Sequence, residues 1–298
     1  MLFPQARQAV DDVAGGPKVW ETDIETARRE ALTEAAQQPR EEVAEVADLD
    51  AGGVRCRLYR PADAVRGVIV HLHGGGFVFH DIDVHDAITR RLANRSRVAV
   101  LSVDYRRPPE HPFPAAPDDV DTVLAWLGGG GASRGLAGPV FLHGDSAGGN
   151  LALVGALRNP GAALGVVLIY PFLDPSASFD SYATAAGFDQ REAAWYWEQY
   201  AADAADLAHP DLAPLGPDLT GQDRFASLPP TLLVTAEEDP LRDEGEHLAR
   251  LLAAAGVEVV ATRYQGQVHG FWRHHDVFDA AEPLTRQVAG FVQLLLER

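Results

Sequence analysis

One stretch decides the fold: Val140-Phe141-Leu142-His143-Gly144-Asp145-Ser146-Ala147-Gly148-Gly149-Asn150. A short apolar run leads to a serine between two glycines, and an alanine-rich segment that favours a helix follows. This order predicts a strand, a sharp turn and a helix, with the Ser146 hydroxyl exposed at the turn. Glycine is expected at 144 and 148 because strand and helix backbones approach too closely there for a β-carbon. The N–H of Ala147 then lies at a helix N-terminus, where it can face a developing negative charge.

The same residues also fit a glycine-rich turn in which Ser146 is only a helix N-cap. The rest of the chain distinguishes the two interpretations.

Apolar runs alternate with helical stripes along most of the chain. Besides the run at 140, the predicted strands are 43–48, 54–60, 66–72, 98–103, 165–170, 231–235 and 257–263. The first two flank Asp50-Ala51-Gly52-Gly53, a hairpin signal, and the later strands are separated by predicted helices at 83–94, 115–127, 241–255 and 276–296. The pattern predicts an α/β fold with a mostly parallel sheet of about eight strands and helices on both faces.

Two segments interrupt this alternation. Residues 1–44 form amphipathic helical stripes, and residues 175–229 contain an aromatic helical stretch but no clear strand. An insertion of that size in an α/β pattern is typical of a lid or a substrate-binding element, although an aromatic stripe can also simply pack on the core. We expect residues 45–298 to form the main domain, with 175–229 inserted into it.

Composition excludes several classes of protein. A net charge of −18 and a pI near 4.9 argue against nucleic acid or an anionic membrane as a partner. Cys56 is the single cysteine, so an intrachain disulfide is impossible. The chain shows no signal-peptide pattern and no apolar run long enough for a membrane span, and we expect a cytoplasmic protein.

A serine hydroxyl is protonated at neutral pH and needs a base, which an acid in turn orients. Such groups gather at the carboxyl ends of parallel strands, so the acid is sought directly after a strand. Asp239 fits best, because Pro240 holds it in an extended conformation before the next helix. Glu237 and Glu238 are weaker alternatives, and Asp243 is predicted in the first turn of that helix.

The base is sought among eleven histidines. His269 alone combines a position after the last predicted strand with the right place in the chain order. The order Ser146, Asp239, His269 is the one that α/β-hydrolase catalytic triads use.

A run of glycines follows the buried strand that ends at Leu72, in His73-Gly74-Gly75-Gly76. Three consecutive glycines cost chain entropy and exceed what a structural turn needs. We expect backbone N–H groups there to join that of Ala147 in facing a ligand.

Metal-ligand residue types also occur at His71 and His73 and in the stretch 80–85. Neither set has the spacing of a known metal motif, so we predict no metal site and no cofactor. Asp81 and Asp83 are instead expected to cap the following helix.

The chain resembles the hormone-sensitive-lipase-like family of α/β-hydrolases, the bacterial family IV esterases. The resemblance spans residues 70–271 and rests on His73-Gly74-Gly75-Gly76, Tyr105, Pro109-Glu110-His111-Pro112-Phe113-Pro114-Ala115-Ala116, Gly144-Asp145-Ser146-Ala147-Gly148-Gly149-Asn150, Tyr170-Pro171, Asp239-Pro240-Leu241-Arg242-Asp243 and His269-Gly270-Phe271. One departure is Arg107-Pro108, where the family usually has Leu-Ala; it weakens inference about the substrate rather than about the triad.

The resemblance implies an esterase for short- to medium-chain acyl esters that works through an acyl-enzyme. Its roles are Ser146 as nucleophile, His269 as base and acid, Asp239 as the orienting acid, and Gly75, Gly76 and Ala147 as oxyanion donors. It further implies a cap built from residues 1–44 and 175–229, and a homodimer. Phe77, Phe188 and Trp195 are predicted as pocket walls, although each also fits a plain core position.

Two other functions use the same pattern. An amidase or deacetylase would have the same triad. A non-catalytic ligand receptor on this fold, such as the plant gibberellin receptors, resembles the family but lacks the histidine that His269 supplies here.

Overall fold

An eight-stranded sheet forms the centre of the protein in the part that the computed structural model describes, residues 1–216 and 222–298. Its strands are β1 (Glu45–Asp50), β2 (Arg55–Arg60), β3 (Val65–Leu72), β4 (Val98–Val103), β5 (Val140–Asp145), β6 (Gly165–Ile169), β7 (Thr231–Glu238) and β8 (Val259–Val268). The strand order is β1-β2-β4-β3-β5-β6-β7-β8. β2 is antiparallel to β1 and to β4, and all other neighbours are parallel. The predicted mostly parallel sheet is confirmed.

Helices cover both faces of the sheet. They are α1 (Pro4–Val13), α2 (Ile24–Ala35), α3 (Asp86–Ser96), α4 (Ala115–Gly129), α5 (Ala147–Arg158), α6 (Ser181–Thr184), α7 (Gln190–Tyr200), α8 (Arg242–Ala254) and α9 (Ala281–Leu296), with 3-10 turns at Val19–Glu21, Gly131–Arg134, Ala204–Ala208 and Gln222–Arg224. Within the described residues, no helix combines the length and apolar composition needed to cross a membrane.

Alternation along the strands divides the core in two. In β3, Val68 and Val70 pack with α4, α5 and α8, whereas Ile69 packs on the opposite face with α3 and α9. All three are fully buried, as expected for a parallel strand covered on both sides.

Helix α3 begins later than predicted. The Asp81 carboxylate accepts the N–H groups of Asp83 and Val84, both at 2.9 Å, so this carboxylate closes a turn before the helix. Asp83 binds the Arg57 guanidinium at 2.6 Å. The prediction that Asp81 and Asp83 cap the helix is therefore wrong.

The last two strands extend beyond their predicted ends. β7 continues to Glu238 and pairs there with Val268 of β8, across a register shift. The N–H of Gly266 donates to the Glu237 carboxylate at 2.7 Å, which keeps the glycine-containing segment on the sheet. His269 consequently follows β8 directly. The next helix starts at Ala281 rather than 276.

The two segments outside the alternation contact each other and the loops at the carboxyl end of the sheet. The Arg191 guanidinium of α7 lies 4.1 Å from the centre of the Trp20 ring. Arg28 of α2 donates to the carbonyl of Val78, just after the glycine run, at 2.9 Å. Residues 217–221 of the predicted insertion lie outside the described residues.

Candidate active site

Ser146 lies at a sharp turn between β5 and α5. Its backbone has φ 55° and ψ −120°, a conformation that costs energy for any residue with a side chain. A β-carbon on Gly148 would lie 1.9 Å from the carbonyl oxygen of Leu72 at the end of β3. The predicted close approach at Gly148 is therefore present. The backbone that comes close to this glycine belongs to β3, the strand next to β5 in the sheet.

The three residues chosen from chain order meet in one hydrogen-bonded row. His269 Nε2 lies 3.0 Å from Ser146 Oγ, and His269 Nδ1 lies 2.9 Å from Asp239 Oδ2. The carboxylate of Asp239 is fully buried, and its other oxygen accepts the N–H of Leu241 at 2.8 Å. Because a carboxylate accepts the Nδ1 proton, Nε2 is left as the acceptor for the serine hydroxyl.

The alternative acids lie elsewhere. Glu237 accepts from Gly266, and Glu238 binds the chain's amino terminus at 3.2 Å. Asp243 lies in the first turn of α8, as predicted, and accepts the N–H of Ser181 at 2.9 Å.

The backbone N–H groups of Gly75, Gly76 and Ala147 lie around Ser146, and none of these has a hydrogen-bond partner among the described residues. The first two lie in the loop after β3, and the third opens α5. A β-carbon on Gly76 would lie 2.2 Å from the ring of Tyr196, so a side chain at 76 would displace that ring. Unpaired N–H groups next to a serine suit an oxyanion hole, the stabilising site for a tetrahedral intermediate.

Asp145 connects the elbow to the glycine loop. Its side chain is buried and accepts the Gly74 N–H at 3.0 Å. Burial raises the pKa of Asp145 to about 7, although Arg273, His269 and the Gly74 N–H favour the charged form.

We expect Asp145→Asn to change how stability depends on pH. An aspartate in an unfolded chain titrates near 3.9, so between about pH 4 and pH 7 the folded protein holds a proton that the unfolded chain releases. Stability then falls as pH rises through this window, by up to about 1.4 kcal/mol per unit. Asparagine removes this contribution while keeping the oxygen for Gly74.

Thermal unfolding of both proteins between pH 4 and pH 8 measures the effect. The variant should gain stability relative to wild type as pH rises. Parallel curves would show that Asp145 does not titrate in this range.

A cavity of about 170 Å³ opens over the serine. Its aromatic walls are Phe79, Phe172, Phe188 and Tyr196. Phe188 stands edge-on to His269, with ring centres 5.4 Å apart. A wider cavity of about 660 Å³ adjoins it and shares His269, Arg273 and His274.

Phe77 and Trp195 do not line either cavity. Phe77 is buried and stacks on Tyr200 at 3.8 Å between ring centres. Trp195 stacks on Phe79 at 5.8 Å, behind the wall. The cavity walls next to them in sequence are Phe79 and Tyr196, which no sequence pattern indicated.

Two of the histidines considered as metal ligands, His71 and His85, lie in a buried row with His143. His71 Nδ1 lies 3.0 Å from His143 Nδ1, and His71 Nε2 lies 3.3 Å from His85 Nδ1. Burial keeps the pKa of each of these histidines well below its usual range, so they are neutral at pH 7. His71, His85 and Asp145 have ligand atoms within 4.8 Å of one another. The His71 nitrogens, however, already face other imidazoles, so the arrangement is a hydrogen-bonded row.

The departure at Arg107 has a structural role that the sequence did not reveal. Its guanidinium donates to the carbonyls of Phe79 and His80, directly after the glycine loop. Arg28 of α2 donates to the Val78 carbonyl of the same loop and forms an ion pair with Glu110 at 2.7 Å. Both contacts join residues far apart in the chain, where local patterns give no signal.

Comparison with known proteins agrees with this architecture. The sequence profile of a family described as alpha/beta hydrolase fold matches residues 69–273. Esterase LipI of Mycobacterium tuberculosis is 35% identical over 275 residues, 87% of this chain and 85% of that protein. Carboxylic ester hydrolase LipN of the same organism is 37% identical over 265 residues, 82% of this chain and 69% of that protein.

Among solved structures, an esterase of Pyrobaculum calidifontis superposes with a TM-score of 0.88 at 34% identity, covering 99% of both chains. The resemblance to hormone-sensitive-lipase-like proteins is thus confirmed, and the chain belongs to the α/β-hydrolase family.

Proposed function

We propose that the protein is a serine carboxylesterase in which Ser146 is the nucleophile, His269 the general base and acid, and Asp239 the residue that orients His269. The observation that supports this most directly is the row Asp239–His269–Ser146, with contacts of 2.9 and 3.0 Å at the base of a cavity. The similarity to an esterase and a carboxylic ester hydrolase supports esters as the substrates.

The reaction follows from this geometry. Ser146 Oγ attacks the ester carbonyl carbon while His269 Nε2 accepts the hydroxyl proton. The N–H groups of Gly75, Gly76 and Ala147 stabilise the oxyanion. His269 then gives its proton to the departing alcohol, and an acyl-enzyme remains. Water then attacks the acyl carbon while His269 accepts a proton from it. The bond to Ser146 Oγ breaks, His269 returns that proton to Oγ, and the carboxylic acid is released.

The proposed substrates carry short to medium acyl chains. The cavity over Ser146 is small, with Phe188 and Tyr196 in its lining. We also propose that residues 1–44 and 175–229 form a cap over it, since Arg28 and Arg191 connect these segments to the loop and to each other. The homodimer and the cytoplasmic location rest on the family resemblance and on sequence composition alone.

A panel of p-nitrophenyl esters from acetate to dodecanoate tests this proposal. We expect kcat/KM to be highest between acetate and hexanoate and to fall at least about tenfold at dodecanoate, a loss of about 1.4 kcal/mol of transition-state binding. p-Nitroacetanilide is the matched amide. Turnover of the amide at or above the rate of the acetate ester would favour the amidase alternative, and no turnover of any ester would favour a receptor.

A further inference from the structure

Arg273 is a buried cation that forms no ion pair with a described carboxylate, although Glu34, Asp145 and Asp276 act on its charge from a longer distance. It is 9% exposed, and among the described residues no carboxylate oxygen lies within the 4.0 Å of an ion pair. Buried charges are normally paired, because leaving water is costly. Burial lowers the pKa of Arg273, but a guanidinium stays protonated at neutral pH.

One side of the guanidinium is fixed. Arg273 Nη2 donates to His274 Nε2 at 2.6 Å. Since arginine only donates, Nε2 must be the acceptor, and Nδ1 therefore bears the imidazole proton. That nitrogen faces the Glu34 carboxylate of α2 at 3.6 Å. His274 thus holds Arg273 in place and is itself aligned by the N-terminal segment.

The Nη1 side of the guanidinium is unpaired among the described residues. Arg273 Nη1 is buried and has no hydrogen-bond partner in the part of the chain that the structure describes. The other arginines near the site differ in this respect: Arg107 donates to two backbone carbonyls, and Arg28 donates to carbonyls and to Glu110. A purely structural Arg273 would be expected to satisfy its donors in the same way.

Arg273 lies where the two cavities meet. It lines the cavity over Ser146 and the wider one between α1 and the segment after β8. Among the described residues that line these cavities, it is the one lysine or arginine. The lining of the wider cavity includes the apolar Val10, Val13 and Phe278, and also the acidic Asp12 and Glu34.

We propose that Arg273 is a specificity-determining residue that binds a carboxylate carried by the ester substrate. A planar guanidinium matches a carboxylate through two parallel N–H donors. The substrate class is therefore an ester with a second, free carboxylate, such as a half-ester of a dicarboxylic acid. This inference rests on the proposed esterase function. The carboxylate belongs to either the acyl or the alcohol part, because Arg273 borders both cavities.

Two matched pairs of substrates distinguish a carboxylate on the acyl part of the ester from one on the alcohol part. On the acyl side, mono-p-nitrophenyl glutarate is compared with its methyl ester, p-nitrophenyl methyl glutarate. On the alcohol side, 4-carboxyphenyl acetate is compared with 4-(methoxycarbonyl)phenyl acetate. We expect the charged member of one pair to have the higher kcat/KM, through a lower KM.

The variants are Arg273→Gln and Arg273→Lys. Glutamine should lower kcat/KM for the charged substrate roughly 10- to 100-fold, the size expected for a lost charge-assisted hydrogen bond. Lysine should retain part of the preference. p-Nitrophenyl acetate, which lacks a carboxylate, should change less than about threefold.

Equal losses for charged and neutral substrates would overturn the proposal and assign Arg273 a structural role. So would a wild-type enzyme that favours neither charged substrate. If the glutamine variant fails to fold, inhibition of the wild type decides: benzoate should inhibit p-nitrophenyl acetate hydrolysis more strongly than benzamide, and equal inhibition would contradict the proposal. Absence of any ester turnover would count against the proposed function instead.

Discussion

Replacing Ser146 with alanine is expected to lower kcat/KM for p-nitrophenyl butyrate about 10⁴- to 10⁶-fold. The hydroxyl oxygen is the atom that lies 3.0 Å from His269 Nε2, and alanine leaves that base without a nucleophile to activate. The loss should appear in kcat, since the cavity walls and the free N–H groups remain. Stability should change little, because the φ of 55° strains alanine much as it strains serine.

Ser133→Ala is the matched control, since Ser133 is exposed in a 3-10 turn away from the site. It should change kcat/KM by less than twofold. A loss of only a few-fold in the Ser146 variant, with the fold intact by thermal unfolding, would mean that another group attacks the ester.

Much of the sheet and the row of site residues follows from local signals in the sequence. Position 148 requires a glycine because the backbone of Leu72 lies too close to it for a side chain. The elbow can therefore be recognised from its glycines. Asp239 and His269 could be found because parallel strands place their carboxyl ends at one edge, which leaves few positions to search. These inferences need only chain order and strand position.

The prediction of Phe188 as a pocket wall agrees with the lining of the cavity, but the other walls could not be found in this way. Phe77 has φ 65°, and this left-handed turn after the glycines directs its ring into the core, where it meets Tyr200. On α7, three consecutive aromatic residues at 195–197 hide the helical period, so the sequence does not show which one faces the serine. The structure selects Tyr196, because Gly76 leaves space for its ring.

Arg273 illustrates a second limit. An arginine in a loop is usually solvated, and nothing near it in sequence indicates burial. Its environment depends on Glu34 and His274, which the fold brings together from opposite ends of the chain. Contacts of this kind determine which ester the site prefers, so substrate preference is the property that sequence patterns predict least well.

Asp239→Asn is expected to lower kcat about 10⁴-fold, with little change in structure. Asparagine preserves the shape of the buried side chain, and its amide oxygen can still accept the N–H of Leu241. Its amide nitrogen would then face His269 Nδ1 and donate to it. The imidazole proton would consequently move to Nε2. This nitrogen could then no longer accept the proton of Ser146.

Asp243→Asn and Glu238→Gln are the matched controls, because each removes a nearby carboxylate that does not contact His269. Both should retain kcat/KM for p-nitrophenyl butyrate within about threefold. If either control loses as much activity as Asp239→Asn, the acid of the triad is misassigned. A loss below about tenfold in Asp239→Asn itself would mean that the 2.9 Å contact does not set the histidine tautomer. The ring contacts of His269 with Tyr170 and Phe188 would then be enough to orient it.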